Sequence, residues 1–410
     1  MKVLLVHQNF PGQFLHLAPA LAAAGHEVLG LTAEGNNRPS PVPVLRYKMP
    51  APTQVTGLAR TYAEAVDRGA AVAGAAAQMR ADRGFVPDVV FGHTGWGETL
   101  FLHEVFPEAR HLAYAEFLYR SSGLDTDFDP EFRNPTLASR VAVTARAAHH
   151  VQSLLRADAA LSPTEWQAST FPPELRPKIT VIHDGIDTAR VRPDPAAALT
   201  LPNGATLKTG DEVLSFVNRH LEPYRGYHVF IRALPDLLPA LPDVLAARPD
   251  AQVVIVGGDG QSYGPRAPEG TTWKQRFLDE VKDRLDLGRV HFLGQVPYAT
   301  FLSLMQVTRV HAYLTYPFVL SWSMLEAMGA GALVIGSRTP PVEEVIRDGE
   351  NGRLVDFFDI AAWSRAMIGA LENPGADDGL RRAARETVVG NYDLRSRSLP
   401  RLMAFVTGQG

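Results

Sequence analysis

Glu326 is the carboxylate that most needs explaining, because it stands inside an apolar run, YPFVLSWSMLEAMGAGALVIGS, from Tyr316 to Ser337. Ser321 and Ser323 precede it, and either hydroxyl can cap a helix by accepting from the N–H groups of the next turn. SMLEAMGAG then supplies good helix formers until Gly329 and Gly331 end the helix. A helix entered this way presents unpaired N–H groups and about half a positive charge. An anion placed over Leu320, Ser321, Trp322 and Ser323 would therefore be held. Glu326 lies within two turns of that end, where its carboxylate could accept two vicinal hydroxyls such as those of a ribose. A plain capped helix with a solvated Glu326 would give the same letters.

Further chemistry-bearing residues stand where extended apolar runs give out. PDVVFGHTGWGE gives a strand, Asp88 to Phe91, ending in His93; Gly92, Gly95 and Gly97 favour an open loop around it, and a core histidine is the plainer alternative. His111 to Ala115 reads as another strand with Glu116 at its carboxyl end, where ligands of parallel α/β sheets bind. Glu116 could bind a hydroxyl or take a proton, with Tyr119 and Arg120 orienting groups nearby. An ion pair between Glu116 and Arg120 at helical spacing is the plainer alternative. Asp125, Asp127 and Asp129 alternate like a metal loop but lack the Gly and Glu that an EF-hand needs. A solvated loop is the expectation there, with a cation less favoured.

The elements that would position these groups follow an α/β alternation. KVLLVH, a loop QNFPGQ, the helical run FLHLAPALAAAG and the strand EVLGLT open a doubly wound domain. The loop carries Gly12 alone, too little for a dinucleotide fingerprint. It could let a phosphate or sugar approach the backbone, or make a tight turn. Leu58 to Met79 is helical in pattern. A strand ending at Leu161, a cap at Ser162 or Thr164 and a strand Ile179 to Ile182 follow. VLSFVNRH, AQVVIVGGDG and RVHFLG repeat the strand pattern in the second half, with Gly258 in a Gly-rich turn. The expected division is residues 1–195, a Pro/Ala/Gly/Thr-rich linker at 196–210, a second domain at 211–390 and a helix at 391–410 crossing back to the first.

Composition agrees with two domains of about 200 residues. The 410 residues are 46% apolar and 20% charged, with a net charge of −4. No apolar window is long enough to span a bilayer and no secretory leader is apparent, so the cytosol is the expected home. The absence of cysteine excludes disulfides, thiolate zinc sites and a Cys nucleophile. The charge gives no reason to expect nucleic acid as a partner, although a local patch could touch a membrane surface.

Taken in order, PDVVFGH, VIHDGID, Arg219 with Arg225, GGDG, VHFLG and LEAMG resemble the retaining glycosyltransferases of family 4. The resemblance implies the GT-B fold, two Rossmann-like doubly wound domains facing a central cleft. It implies transfer of a sugar from a UDP- or GDP-sugar to a hydroxyl on a sugar, lipid-linked or other acceptor, with no metal or other cofactor. Arg219 and Arg225 would clamp the donor diphosphate, and Gly294 would let the backbone of Gln295 and Val296 approach the base. Glu326 would be the second acid of the family's Glu-x7-Glu pair, and His93 and Glu116 would contact sugar or acceptor. The first acid is absent, since Phe318 stands eight residues before Glu326. A nucleotide-sugar epimerase and a non-catalytic nucleotide-sugar-binding protein are the alternatives.

Overall fold

The computed structural model describes residues 1–237 and 250–409. The chain forms two compact units, one of Met1–Asp127, Arg133–Gly185 and Leu394–Gly410, the other of Phe128–Phe132 and Ile186–Asp393. Among the described residues no helix is long and apolar enough to cross a membrane.

The first unit holds β1 (Lys2–Val6), β2 (Glu27–Ala33), β3 (Val44–Tyr47), β4 (Val89–His93), β5 (Arg110–Tyr114), β6 (Ala159–Ser162) and β7 (Ile179–Val181). They form one sheet in the order β3-β2-β1-β4-β5-β6-β7, and every pair is parallel. β1 lacks polar alternation because both its faces are covered. Val3 and Leu5 join Leu17, Leu21, Leu402 and Val406 in one cluster, while Leu4 and Val6 join Val72, Ala76 and Met79 in another. β3 is a strand that periodicity alone did not suggest. It lies at the sheet edge, where neighbouring prolines are tolerated.

The chain's last segment belongs to this unit. Leu394–Ser398 makes a π-helical turn and Leu399–Thr407 an α-helix. Leu402 and Val406 are buried, and Arg110 Nη1 donates to the Phe405 carbonyl at 2.9 Å.

The second unit begins with a hairpin, β8 (Ala198–Thr200) and β9 (Thr206–Lys208), inside the stretch expected as a linker. Leu199 and Leu207 are buried in the unit's core, and Asn203-Gly204 between the two short runs is a hairpin signal that the composition obscured. The chain instead passes between units at Gly185 and Ile186. β10 (Val213–His220), β11 (Gln252–Gly258), β12 (Val290–Gly294), β13 (Val310–Tyr313), β14 (Leu333–Ser337) and β15 (Arg353–Val355) form a parallel sheet in the order β12-β11-β10-β13-β14-β15. In each sheet the strand order reverses once, between β1 and β4 and between β10 and β13. Ligands of this architecture bind beyond the carboxyl ends of such strands.

The aspartate-rich loop departs from expectation. Asp125 and Asp129 are buried rather than solvated. Phe128 packs on Tyr316, Phe357 and Phe358, and Phe132 on His228, Trp273 and Phe277. These aromatic anchors carry Asp129 into the second unit, where it accepts from His228 Nε2 at 3.0 Å and Tyr316 Oη at 2.5 Å. Among the described residues no cluster of His, Asp and Glu is arranged to hold a metal ion.

Candidate active site

In the second unit the candidate residues gather at the carboxyl ends of β10 and β13. β10 is buried through Val217 and ends through Asn218 and an exposed Arg219. Arg225 follows a short turn that closes on Gly226, whose φ is 68°. A Cβ at Gly226 would stand 2.3 Å from Leu314 Cβ, so a side chain there would collide with the exit of β13. Arg225 is buried, with Nη1 donating to Thr315 Oγ1 at 2.9 Å and to the Val319 carbonyl at 2.8 Å. Its guanidinium lies 5.6 Å and 5.4 Å from the ring centres of Tyr263 and Phe318. Phe318 is thus part of an aromatic seat for a fixed cation.

Val319 stands two residues before Ser321, so this guanidinium lies beside the start of the helix Trp322–Ala330. Ser321 caps that helix, its hydroxyl accepting from Ser323 N at 3.4 Å. Gly331, with φ 92°, ends it. Gly329 is not a stop but an interior residue, and a Cβ there would come within 3.2 Å of Val191 Cγ1. Leu320 points into the core, so only its main chain borders the helix start; Ser323 is buried and Trp322 exposed.

Glu222, between the two arginines, was not singled out from sequence. Its Oε2 accepts from Ser262 N at 2.8 Å and Tyr263 N at 3.1 Å, tying the Gly-rich turn after β11 to the arginine loop. Burial raises its pKa, against the lowering effect of those two N–H groups and of Arg225 and Arg219. Gly258 lies close by. A Cβ there would meet His220 Cδ2 at 3.1 Å and Gln295 Nε2 at 3.2 Å, so β10, β11 and β12 bring their exits together. Gly294 has φ 65°, Gln295 is exposed and Val296 half-buried.

Glu326 is not a solvated helix residue. Its Oε1 accepts from Tyr298 Oη at 2.7 Å, and Arg190 lies 4.6 Å over the Tyr298 ring. Burial raises the carboxyl's pKa, with Tyr298 and Arg190 opposing.

In the first unit His93 and Glu116 do come together, His93 Nε2 lying 3.5 Å from Glu116 Oε2. His93 Nδ1 accepts from Gly95 N at 2.9 Å, so a neutral ring carries its proton on Nε2. The ring is stacked between Trp96 at 4.6 Å and Tyr114 at 5.3 Å. Tyr114 in turn donates to both oxygens of Asp184, at 2.8 Å and 3.0 Å. Glu116 Oε1 accepts from Gln13 Nε2 at 3.1 Å.

Three expected site residues have other duties. Arg120 spends its guanidinium on the carbonyls of Ser169, Thr170 and Phe171, so it fastens a loop. It cannot pair with Glu116 at helical spacing because residues 115–120 are not helical. Tyr119 packs against Phe117 at 5.2 Å with Arg146 over its ring at 6.0 Å. Gly12, with φ 47°, leaves room for His7, since a Cβ would stand 2.7 Å from His7 Nε2. His7 and Gln13 escaped the sequence reading, His7 because it looked like the tail of an apolar strand.

Two domain families match in succession. Residues 24–191 match the Glycosyl transferase family 4 group and residues 201–387 match Glycosyl transferases group 1. Glycogen synthase of Mycobacterium tuberculosis is 26% identical over 96% of this chain and 91% of its own. Sucrose-phosphate synthase of Thermosynechococcus elongatus superposes with a TM-score of 0.72 at 18% identity, over 100% of this chain and 98% of its own. HepE of Anabaena, solved in complex with UDP and glucose, superposes with a TM-score of 0.66 at 15% identity, over 100% of both chains. Two Rossmann-like parallel α/β units define a protein of the GT-B fold. With a family 4 group domain followed by a group 1 domain, the chain is a glycosyltransferase.

Proposed function

We propose that the enzyme moves a sugar from a UDP- or GDP-sugar to a hydroxyl acceptor in the cytoplasm, with retention at the anomeric carbon. The observation that supports this most is the gathering of Arg219, Arg225 and the start of helix Trp322–Ala330 at one end of the second sheet. As the glycosidic bond breaks, negative charge grows on the leaving diphosphate, and donors already fixed in place stabilise it more than they stabilise the bound substrate. Thr315 and Val319 fix Arg225 in this way before any ligand arrives. Glu326, steadied by Tyr298, is assigned to the ribose hydroxyls. Because the charge is met by guanidinium and N–H groups, turnover is expected to survive EDTA. HepE was solved with UDP and glucose bound, which favours a uridine donor in the first trials.

Thermal shift with UDP-, GDP- and ADP-glucose tests the donor, and NMR of the product's anomeric configuration tests retention. A melting temperature unmoved by any nucleoside-diphosphate sugar would sink the reading. Phe318, in place of the family's first acid, favours a second reading as an atypical branch that binds nucleotide sugars without turning them over. Measured transfer separates the two.

Glu116 is assigned to a substrate hydroxyl. Glu116→Gln is expected to lower transfer about 10- to 10²-fold, the worth of a hydrogen bond to a charged group. Nucleotide affinity, measured by calorimetry with UDP or GDP, should stay within about twofold. Equal losses in both would remove Glu116 from that role.

A further inference from the structure

We infer that Asp129 and Tyr316 are positioning residues for Arg225: the carboxylate, carried on the segment Phe128–Phe132, fixes through the Tyr316 phenol the stretch of chain that holds the guanidinium. That Arg225 meets a diphosphate rests on the transferase reading; the linkage from Asp129 to Arg225 does not.

Arg225 is held from residues 315–319. Its Nη1 donates to Thr315 Oγ1 at 2.9 Å and to the Val319 carbonyl at 2.8 Å, and its guanidinium lies 5.4 Å from the Phe318 ring centre. Tyr316 stands in the middle of that stretch and is buried. Its Oη donates to Asp129 Oδ2 at 2.5 Å. Burial, then the charge of Asp129, push the phenol's pKa up, so the group keeps its proton and donates. Tyr316 also meets the loop that carries the arginine. Its N donates to the Tyr224 carbonyl at 3.0 Å, and the two rings lie 4.7 Å apart. Tyr224 immediately precedes Arg225. One side chain therefore touches both the chain that bears the guanidinium and the chain that receives it.

Asp129 is itself immobilised. The same Oδ2 accepts from His228 Nε2 at 3.0 Å, and Oδ1 accepts from Glu131 N at 2.8 Å. The segment is fastened at both ends, with the Phe128 ring 5.1 Å from Phe357 and the Phe132 ring 5.3 Å from Trp273. A segment that only covered apolar surface would need those two rings. It would not need a carboxylate, whose burial is costly unless hydrogen bonds offset it. The bond to Tyr316 gives that carboxylate a use, because a cation fixed before the reaction stabilises a departing diphosphate without having to be reorganised.

The test pairs Tyr316→Phe, which keeps the ring and removes only the hydroxyl, with Asp129→Asn, which weakens the same link from its other end. Each full-length variant is titrated by calorimetry with whichever of UDP, GDP and ADP binds the parent chain best. Tyr316→Phe should weaken that nucleotide about tenfold, as loss of a hydrogen bond to a charged group does, and Asp129→Asn should weaken it less. Arg225→Lys keeps the charge but not the planar group that the seat orients. On that background Tyr316→Phe should change affinity by no more than about twofold, since its effect passes through the guanidinium. A hydroxyl with a merely structural role would lower the melting temperature and leave affinity within about twofold of the parent, or would cost the same factor with Arg225 and with Lys in its place. Either result overturns the inference. If the parent chain binds none of the three nucleotides, the transferase reading fails and crystal structures decide the linkage. Arg225 still bonded to Thr315 and Val319 in Tyr316→Phe overturns it, and Arg225 withdrawn from them upholds it.

Discussion

An Arg219→Ala enzyme is expected to lose about 10²- to 10³-fold in turnover, the cost of removing one preorganised donor from a developing negative charge. Its melting temperature should not change, because Arg219 is exposed at the exit of β10 and the strand's core contacts end at Val217. Arg225 differs in kind. Arg225→Ala removes a buried guanidinium that bonds Thr315 and Val319 and lies over Tyr263 and Phe318, so it should cost stability as well as rate. The two variants together separate charge from scaffolding. Steady-state kinetics at saturating donor, with the melt recorded alongside, provide the check. An Arg219→Ala enzyme of near-normal rate would take Arg219 out of the mechanism.

How far these roles were readable from sequence depends on how local their causes are. β10 and its polar exit follow from eight consecutive letters, and a helix capped at Ser321 or Ser323 and stopped by a nearby glycine follows from a dozen more. Those were available at once. Arg225 was readable as a cation but not as a cation seated on Phe318 and Tyr263, since Tyr263 arrives from the loop after β11. Glu326 invited a choice between solvated residue and ligand, and the deciding partner, Tyr298, lies 28 positions away. Gln13 and Glu116 are 103 positions apart, and no periodicity links them. Gly12 was noticed as a backbone opening, yet whether that opening serves a phosphate or the ring of His7 is a question of packing. The alternating aspartates misled because polarity was weighed and Phe128 and Phe132, four apart beside them, were not.

Asp129→Ala is expected to destabilise the second unit by about 1–3 kcal/mol, the usual cost of leaving buried hydrogen-bonding groups without their partner. Asp129 Oδ2 takes hydrogen bonds from His228 Nε2 and Tyr316 Oη, and Oδ1 takes one from Glu131 N at 2.8 Å. The His228 and Tyr316 donors would be left buried and unmatched. The neighbouring Glu131 to Arg232 pair, at 2.7 Å, is partly exposed and should matter far less. Burial pushes the Asp129 pKa up, but the bonds from His228 and Tyr316 outweigh it and hold the carboxyl below its ordinary value. The unfolded chain therefore binds a proton at a higher pH than the folded one. Asp129's contribution is complete above the ordinary aspartate range and is lost as pH falls through the lower, folded value. Wild type should accordingly lose melting temperature steeply in that acid window. Asp129→Ala should start lower and show a shallower acid limb, with Asp129→Asn between them because an amide oxygen can still accept from one donor. Melting curves from neutral to acid pH read both effects. Superimposable curves for wild type and Asp129→Ala would mean that the aromatic anchors Phe128 and Phe132 hold this loop without help from its charge.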